Sequence, residues 1–228
     1  MPDTIELSPS SVQVLQILKK SKTSAVLKVS ISGETRILKV YREHLPSEHD
    51  SPARETNPFI CETSAYERLQ HRGHCKAGNI LSFYGTITNI QPDLWPQLAT
   101  LFDDGRPMSA VLLEYIDDMH QLDLSTFSQS RLDELERILQ DIHKAGVLHG
   151  DPDPRNMMIC PGQNGKQDRV LWIDFDSAQL LPEGELSPRQ QMWLQEENDL
   201  MDYFVKALPE DYREGRLCRT WDYFYTRK

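Results

Sequence analysis

The chain has 228 residues, 39% of them hydrophobic, enough to bury a core as one domain or two small lobes and too apolar for a disordered tail. Its 35 acidic against 25 basic side chains give a formal charge of −10, which argues against a broad electrostatic footprint for nucleic acid or an anionic membrane. No apolar run approaches the roughly eighteen residues of a membrane span, and MPDTIELSPSS lacks the basic and apolar regions of a signal peptide. Cys61, Cys75, Cys160 and Cys218 stand without Cys-x-x-Cys spacing, so reduced thiols are expected, in a protein of the cytoplasm or nucleus with no membrane partner.

From Val12 to Tyr41 the runs VQVLQIL, AVLKVSI and TRILKVY, separated by KKSKTS and SGE, predict three antiparallel strands. Asn57 and Pro58 supply a cap and a first-turn proline for a helix whose periodic residues are Phe59, Ala65, Tyr66 and Leu69, and Gly73 stops it. NILSFYGTIT and SAVLLEYI read as two further strands, joined by a Pro-rich connection that holds Trp95. The HRGHC stretch fits no zinc spacing and reads as loop.

The second half is more helical. Ser130 begins a Ser-x-x-Asp box, and Leu132, Leu135, Ile138, Leu139 and Ile142 follow at helical spacing until Gly146. VLHGD, two prolines, a short apolar MMI, the polar turn PGQNGKQD and VLWIDFDSA predict loop, short strand, hairpin and strand. From Ser187 a helix carries Met192, Trp193, Leu200 and Phe204, before an aromatic end, WDYFY. There are no internal repeats.

The octapeptide HGDPDPRN is the densest chemistry in the chain. Proline disfavours helix in the residue before it, so Asp151 and Asp153 are held in extended or turn backbone. Asp and Asn are also common in solvated turns, and alone the stretch fits that plain role. With Asp174 at the end of an apolar run, however, Asp151 and Asn156 make a set of hard oxygen ligands on adjacent strand ends. Mg²⁺ takes such a set, completed by water and phosphate oxygens. Asn156 and Asp174 suit the metal, while Asp151 stands nearer an incoming hydroxyl whose proton it can accept. Upstream, Lys39 sits in ILKVY, where an ammonium needs a carboxylate or phosphate to meet. Glu62 is its natural partner, because Ala65, Tyr66 and Leu69 lie three, four and seven residues later; Glu67 reads as solvated. His149 reads as structural, bonding backbone near Asp174, and Met157 and Met158 as core strand.

A strand lysine, a helix glutamate, H-x-D-x-x-x-x-N and D-F-x in that order resemble the protein-kinase-like superfamily over roughly residues 12–202. ILKVY resembles the third-strand lysine motif, CETSAYERL the segment of helix C, LLEYI the gate and hinge, HGDPDPRN the catalytic loop and IDFD the metal loop. Gly150, where many protein kinases carry arginine, resembles aminoglycoside and choline kinases and the small atypical kinase-like proteins of fungal type. The resemblance implies an α+β, two-lobed fold, with a five-stranded antiparallel lobe and one helix over residues 1–115 and a shortened, mainly helical lobe over 116–228. It implies an ATP-dependent phosphotransferase with ATP and Mg²⁺ as cofactors and an unidentified small-molecule or protein hydroxyl as acceptor. Lys39, Glu62, Glu114 and Ile116 would bind nucleotide, Asn156 and Asp174 the metal, and Asp151 and Arg155 would serve catalysis.

The departures define the competing expectation. No Gly-x-Gly-x-x-Gly is present, so the tip KKSKTS would cover the phosphates with backbone N–H groups, hydroxyls and Lys20 or Lys22. Asp176 follows Asp-Phe where glycine is usual, and Asp153 stands where many protein kinases place lysine, leaving Arg155 or a second metal to neutralise the γ-phosphate. No Ala-Pro-Glu signature follows Asp174. A pseudokinase that binds nucleotide as a scaffold is the alternative.

Overall fold

The computed structural model describes residues 4–48, 50–102, 104–162 and 167–225. It is an α+β structure. Strands β1 (Val12–Lys20), β2 (Ser24–Ile31) and β3 (Glu34–Arg42) follow in sequence, then helix α1 (Pro58–His71), the short α2 (His74–Ala77), and strands β4 (Phe83–Ile90) and β5 (Met108–Glu114). These strands form an antiparallel sheet in the order β1-β2-β3-β5-β4. Beyond it come β6 (His120–Gln121), α3 (Gln129–Lys144), β7 (Val147–Leu148), β8 (Met157–Cys160), β9 (Arg169–Trp172), β10 (Gln179–Leu180), α4 (Pro188–Glu214) and α5 (Trp221–Tyr225). No helix among the described residues is long and apolar enough to cross a membrane.

Side chains alternate across a strand, and β3 shows why the sheet has two different faces. Leu38 and Val40 point to a cluster with Leu27, Ala110, Trp95 and Leu98, so the connection between β4 and β5 shields the outer face. Ile37 and Tyr41 point the other way, into a core shared with Ala65, Tyr66 and Leu69 of α1. Lys39 lies between them in register and so belongs to that inner face. The inner core continues without a break through Leu135 and Ile138 of α3, Met157, Trp172 and Phe204, across the boundary expected near residue 115.

Local chemistry accounts for the helix bounds. Asn57 caps α1, its side chain accepting from Phe59 N–H at 3.1 Å, and Pro58 opens it. The cap of α3 is Ser128, not the expected Ser130: its hydroxyl accepts from Arg131 N–H at 3.3 Å, while the five apolar residues foreseen for this helix are all buried. Ser187 and Gln190 form a reciprocal capping box on α4. His74 and Cys75, expected in loop, belong to the single turn α2 between two left-handed glycines, Gly73 and Gly78. Residues 79–81, expected in β4, leave the sheet: Ile80 bridges to Trp172 of β9, and Asn79 O accepts from Trp172 N–H at 3.1 Å. The hairpin tip foreseen between β8 and β9 has residues 163–166 outside the described set.

The loop after β7 is fixed from below by α4. Glu197 accepts from His149 N–H at 3.1 Å and Gly150 N–H at 2.6 Å and also meets the His143 ring at 2.7 Å. Gly150 has φ +82°, and a Cβ there would lie 2.1 Å from the carbonyl oxygen of Ser177. The segment after β9 thus lies directly on the loop, and an arginine has no room at this position. Alanine would combine a left-handed backbone with that overlap, so Gly150→Ala should destabilise by about 2–4 kcal/mol. Urea denaturation of the variant checks this; an unchanged midpoint would show that the two segments are not so closely opposed.

Candidate functional site

Lys39 is the centre of the site. Its side chain is only 7% exposed, and its ammonium meets Glu62 Oε2 at 3.0 Å, Asp176 Oδ2 at 3.3 Å and, in a short hydrogen bond, Asp174 Oδ1. The sheet supplies Lys39, α1 supplies Glu62, and the segment after β9 supplies Asp174 and Asp176, so one ammonium ties three separately positioned pieces of chain. Tyr41, two residues along the same strand face, donates its hydroxyl to Glu62.

The carboxylates share too little positive charge, and their pKa values show it. Burial pushes Lys39 down, but Asp174, Glu62 and Asp176 outweigh it and hold the ammonium firmly protonated. Glu62 moves the other way: burial, against the pull of Lys39 and with repulsion from Asp174 and Asp176, pushes it up to about 7. Burial also raises Asp176, with Asp174 as an unfavourable neighbour. Asp174 is lowered in spite of its burial, because Lys39 and then Lys19 stand beside it. The ion pair of Lys39 with Glu62 is thus unequal, the lysine being satisfied chiefly by Asp174. Among the described residues, Glu62 Oε1 and the Tyr66 hydroxyl, one turn apart on α1, are buried without a hydrogen-bond partner.

Asp174 itself adopts φ +69°, a left-handed backbone unusual for a residue with a Cβ. It stands two residues past the end of β9, and Ile173 just before it is held through its carbonyl by His149 Nε2 at 3.1 Å. His149 Nδ1 accepts from Asp151 N–H at 3.3 Å, so the ring is neutral with its proton on Nε2. Burial lowers its pKa, in keeping with that form. The expected structural role of His149 is what the geometry displays: it spaces the two loops.

In the first of those loops Asn156 Nδ2 donates to the carbonyl of Asp151 at 2.8 Å and to its Oδ2 at 2.9 Å. Both bonds use the amide nitrogen, which leaves Oδ1 as the atom able to ligate. Arg155 pairs with Asp151 Oδ1 and, at 2.7 Å, with Asp153 Oδ2. Asp153 is almost fully buried, so the second aspartate of the octapeptide anchors Arg155. Met157 and Met158 are core strand as expected.

Glu114 and Ile116 occupy the end of β5 and the chain beyond it. The Glu114 side chain pairs with Arg169 at 2.9 Å and accepts from Ser82 N–H at 2.9 Å, and its own N–H donates to Ser82 O at 2.9 Å, so a ligand could be met only by its carbonyl. Arg169 also donates to the carbonyls of Gly78 at 2.9 Å and Ile80 at 2.8 Å. Tyr115 hydroxyl accepts from Lys28 at 2.7 Å. Glu67, read from sequence as solvated, is half-buried.

Four contributors escaped the sequence reading. Tyr41 was legible by period-two alternation from Lys39. Glu197 was legible as a charge inside the apolar stripe Trp193, Met201, Phe204 and Leu208. Gln179 clasps the chain before α1: its Nε2 donates to Glu55 O at 2.9 Å and its Oε1 accepts from Glu55 N–H at 2.9 Å, a pairing without local signal. Lys19, whose Nζ lies 3.8 Å from Asp174 Oδ2, takes the place expected of Lys20 or Lys22.

Among the described residues no three His, Cys, Asp or Glu side chains gather as a ready metal centre. An amide oxygen with one or two carboxylates nevertheless fits Mg²⁺, which keeps water and phosphate ligands. Counted as formal charges, Glu62, Asp151, Asp153, Asp174 and Asp176 outnumber Lys19, Lys39 and Arg155 in this cluster. Compared with models of protein families and with curated proteins, the sequence matches none.

An acid whose pKa is higher folded than unfolded binds its proton more tightly in the native state. Glu62 therefore contributes stability fully below its ordinary 4.5 and loses it as pH rises through about 7. The loss is on the order of 2–3 kcal/mol. Denaturation at pH 5 and pH 8 should give Glu62→Gln a flatter dependence than the parent; Asp176, raised in the same sense, titrates in both proteins. Identical slopes would show that Glu62 keeps its charge throughout.

Proposed function

We propose that this chain is an ATP-dependent phosphotransferase of the atypical-kinase type, with the two-lobed arrangement of that superfamily, moving the γ-phosphate of Mg-ATP to a hydroxyl acceptor. The observation that carries the reading is the meeting of Lys39 with Glu62 and Asp174 beside the loop of Asp151 and Asn156. Four sequence-distant motifs that resemble one superfamily in order are here joined by direct contacts.

In this reading Lys39, oriented by Glu62, binds the α and β phosphates, and the backbone of Glu114 and Ile116 receives the base. Asn156 and Asp174 would hold Mg²⁺, which neutralises phosphate charge when bound. Asp151 accepts the acceptor's hydroxyl proton as the new O–P bond forms and the bond to the β-phosphate oxygen breaks, releasing ADP. Arg155, anchored by Asp153, holds the Asp151 carboxylate in place.

A second reading, a nucleotide-binding pseudokinase, is favoured by the hairpin tip, where the Ser21 hydroxyl accepts from Thr23 N–H at 3.2 Å and Ser24 N–H at 3.0 Å and so turns inward on the tip. Calorimetry with Mg-ATP separates the possibilities. Lys39→Met and Asp174→Ala should each weaken binding at least tenfold, and Asp151→Asn should keep affinity while slowing phosphate transfer or ATP hydrolysis by about 10²- to 10⁴-fold. Equal affinity in the parent and both binding variants would place the site elsewhere. Tight binding with no turnover across an acceptor screen would favour the scaffold.

Activation-loop phosphorylation has no receptor in this reading. Gly150 cannot be an arginine, and the Glu55–Gln179 clasp holds the start of α1 without a modified residue. Phosphatase treatment should leave turnover unchanged, and loss of turnover would contradict this.

A further inference from the structure

The pairing of β1 with β2 breaks register between Val14 and Gln16 and again between Ile17 and Lys19. At the second break Leu18 is the extra residue: Ile17 pairs with Leu27, and Lys19 rather than Leu18 pairs with Val26. Residues directly opposite on antiparallel strands share a face, and a one-residue slip exchanges faces. Val26 pairs in turn with Lys39, and Lys39 with Val111. Lys19, Val26, Lys39 and Val111 are therefore one cross-sheet row on the inner face. Without the bulge Leu18 would hold that place and Lys19 would turn to the outer face.

The bulge has no evident structural return. It interrupts the ladder, leaves Leu18 45% exposed, and delivers a lysine whose side chain is 69% exposed with its carboxylate 3.8 Å away. An exposed pair of that kind contributes at most about 1 kcal/mol. Local rules broken without a stability gain are expected at functional sites, and bulges beside such sites commonly re-aim a side chain.

We propose that Lys19, turned inward by the Leu18 bulge, is the phosphate-binding cation of the hairpin, the group that stands in for a glycine-rich loop. It rests on the nucleotide reading above and adds a residue to it. Lys19 and Lys39 lie two strands apart, about 10 Å across the backbone, and both reach Asp174, one to each carboxylate oxygen. A polyphosphate entering between them meets an ammonium on either side, and Lys19, weakly held, transfers from Asp174 to the phosphate. Lys20, one residue on, pairs with Ala25 and belongs to the other face.

The test measures affinity for adenosine, ADP, ATP and inorganic tripolyphosphate, each with Mg²⁺, in the parent protein and in Lys19→Ala, Lys19→Arg and Lys20→Ala. Lys19→Ala should weaken ADP, ATP and tripolyphosphate by about 10- to 100-fold, the worth of one charge-assisted contact, and leave adenosine unchanged. Lys19→Arg should retain most of the affinity, and Lys20→Ala all of it. Equal phosphate affinity in Lys19→Ala and the parent, or an equal loss in Lys20→Ala, overturns the assignment. Tripolyphosphate bound through Lys19 without adenosine recognition would uphold Lys19 and refute the nucleotide reading; no binding of any probe by the parent would refute both.

Discussion

A buried ammonium surrounded by carboxylates from two other pieces of chain governs this structure. Lys39 cannot remain charged in an apolar strand without partners, and its partners cannot lie close together without it. The sheet, α1 and the segment after β9 are therefore placed by one mutual requirement. The requirement is incompletely met: Glu62 is pushed up towards neutrality while Lys39 stays protonated. An ion pair built only for stability would not include two further acids. The imbalance leaves the centre with more carboxylate than its one ammonium can neutralise, the kind of perturbed cluster that is found both at functional sites and in structural ion-pair networks.

Around that centre the protein uses backbone contacts where charge is scarce. Glu197 fixes the loop of Asp151 through two N–H groups, His149 joins it to Ile173, and Gly150 lets Ser177 lie against it. The left-handed backbone at Asp174 is held by these surroundings and by Lys39. Strain of this kind persists only where neighbours over-determine it.

The parts of this arrangement that follow local rules could be read in the sequence. The first three strands follow their β-branched and aliphatic runs, α1 follows its Asn-Pro cap, and the pairing of Lys39 with Glu62 follows from helical spacing against a strand lysine. Asn156 bonds Asp151, and its carbonyl accepts from Ile173 N–H, the residue before Asp174, so the two loops expected together are neighbours. What failed to show depends on contacts between distant segments or on one-residue shifts. Ser128 rather than Ser130 caps α3 because both serines offer the same hydroxyl and only the backbone chooses. Ile80 and Leu81 were apolar enough for β4, but the chain there is drawn to β9 through Asn79 and Ile80. The Leu18 bulge has no compositional mark, so the inward turn of Lys19 could not be read from the sequence.

The inner core joins α1 and the sheet to α3, β8, β9 and α4 without a gap. Two halves that share side chains in this way form one cooperative unit, so neither is a portable module. Severing the chain after Tyr115 would strip Val111 and Leu113 of neighbours on one side and Leu135 and Trp172 on the other. The same continuity restrains gross opening of the cleft and leaves the thinly packed β1–β2 hairpin, with Leu15, Ile17 and Leu18 in solvent, as its pliable margin. Where β2 and β3 have a core on either side, β1 keeps Leu15, Ile17 and Leu18 in solvent, so the first place the fold can yield is its own edge strand.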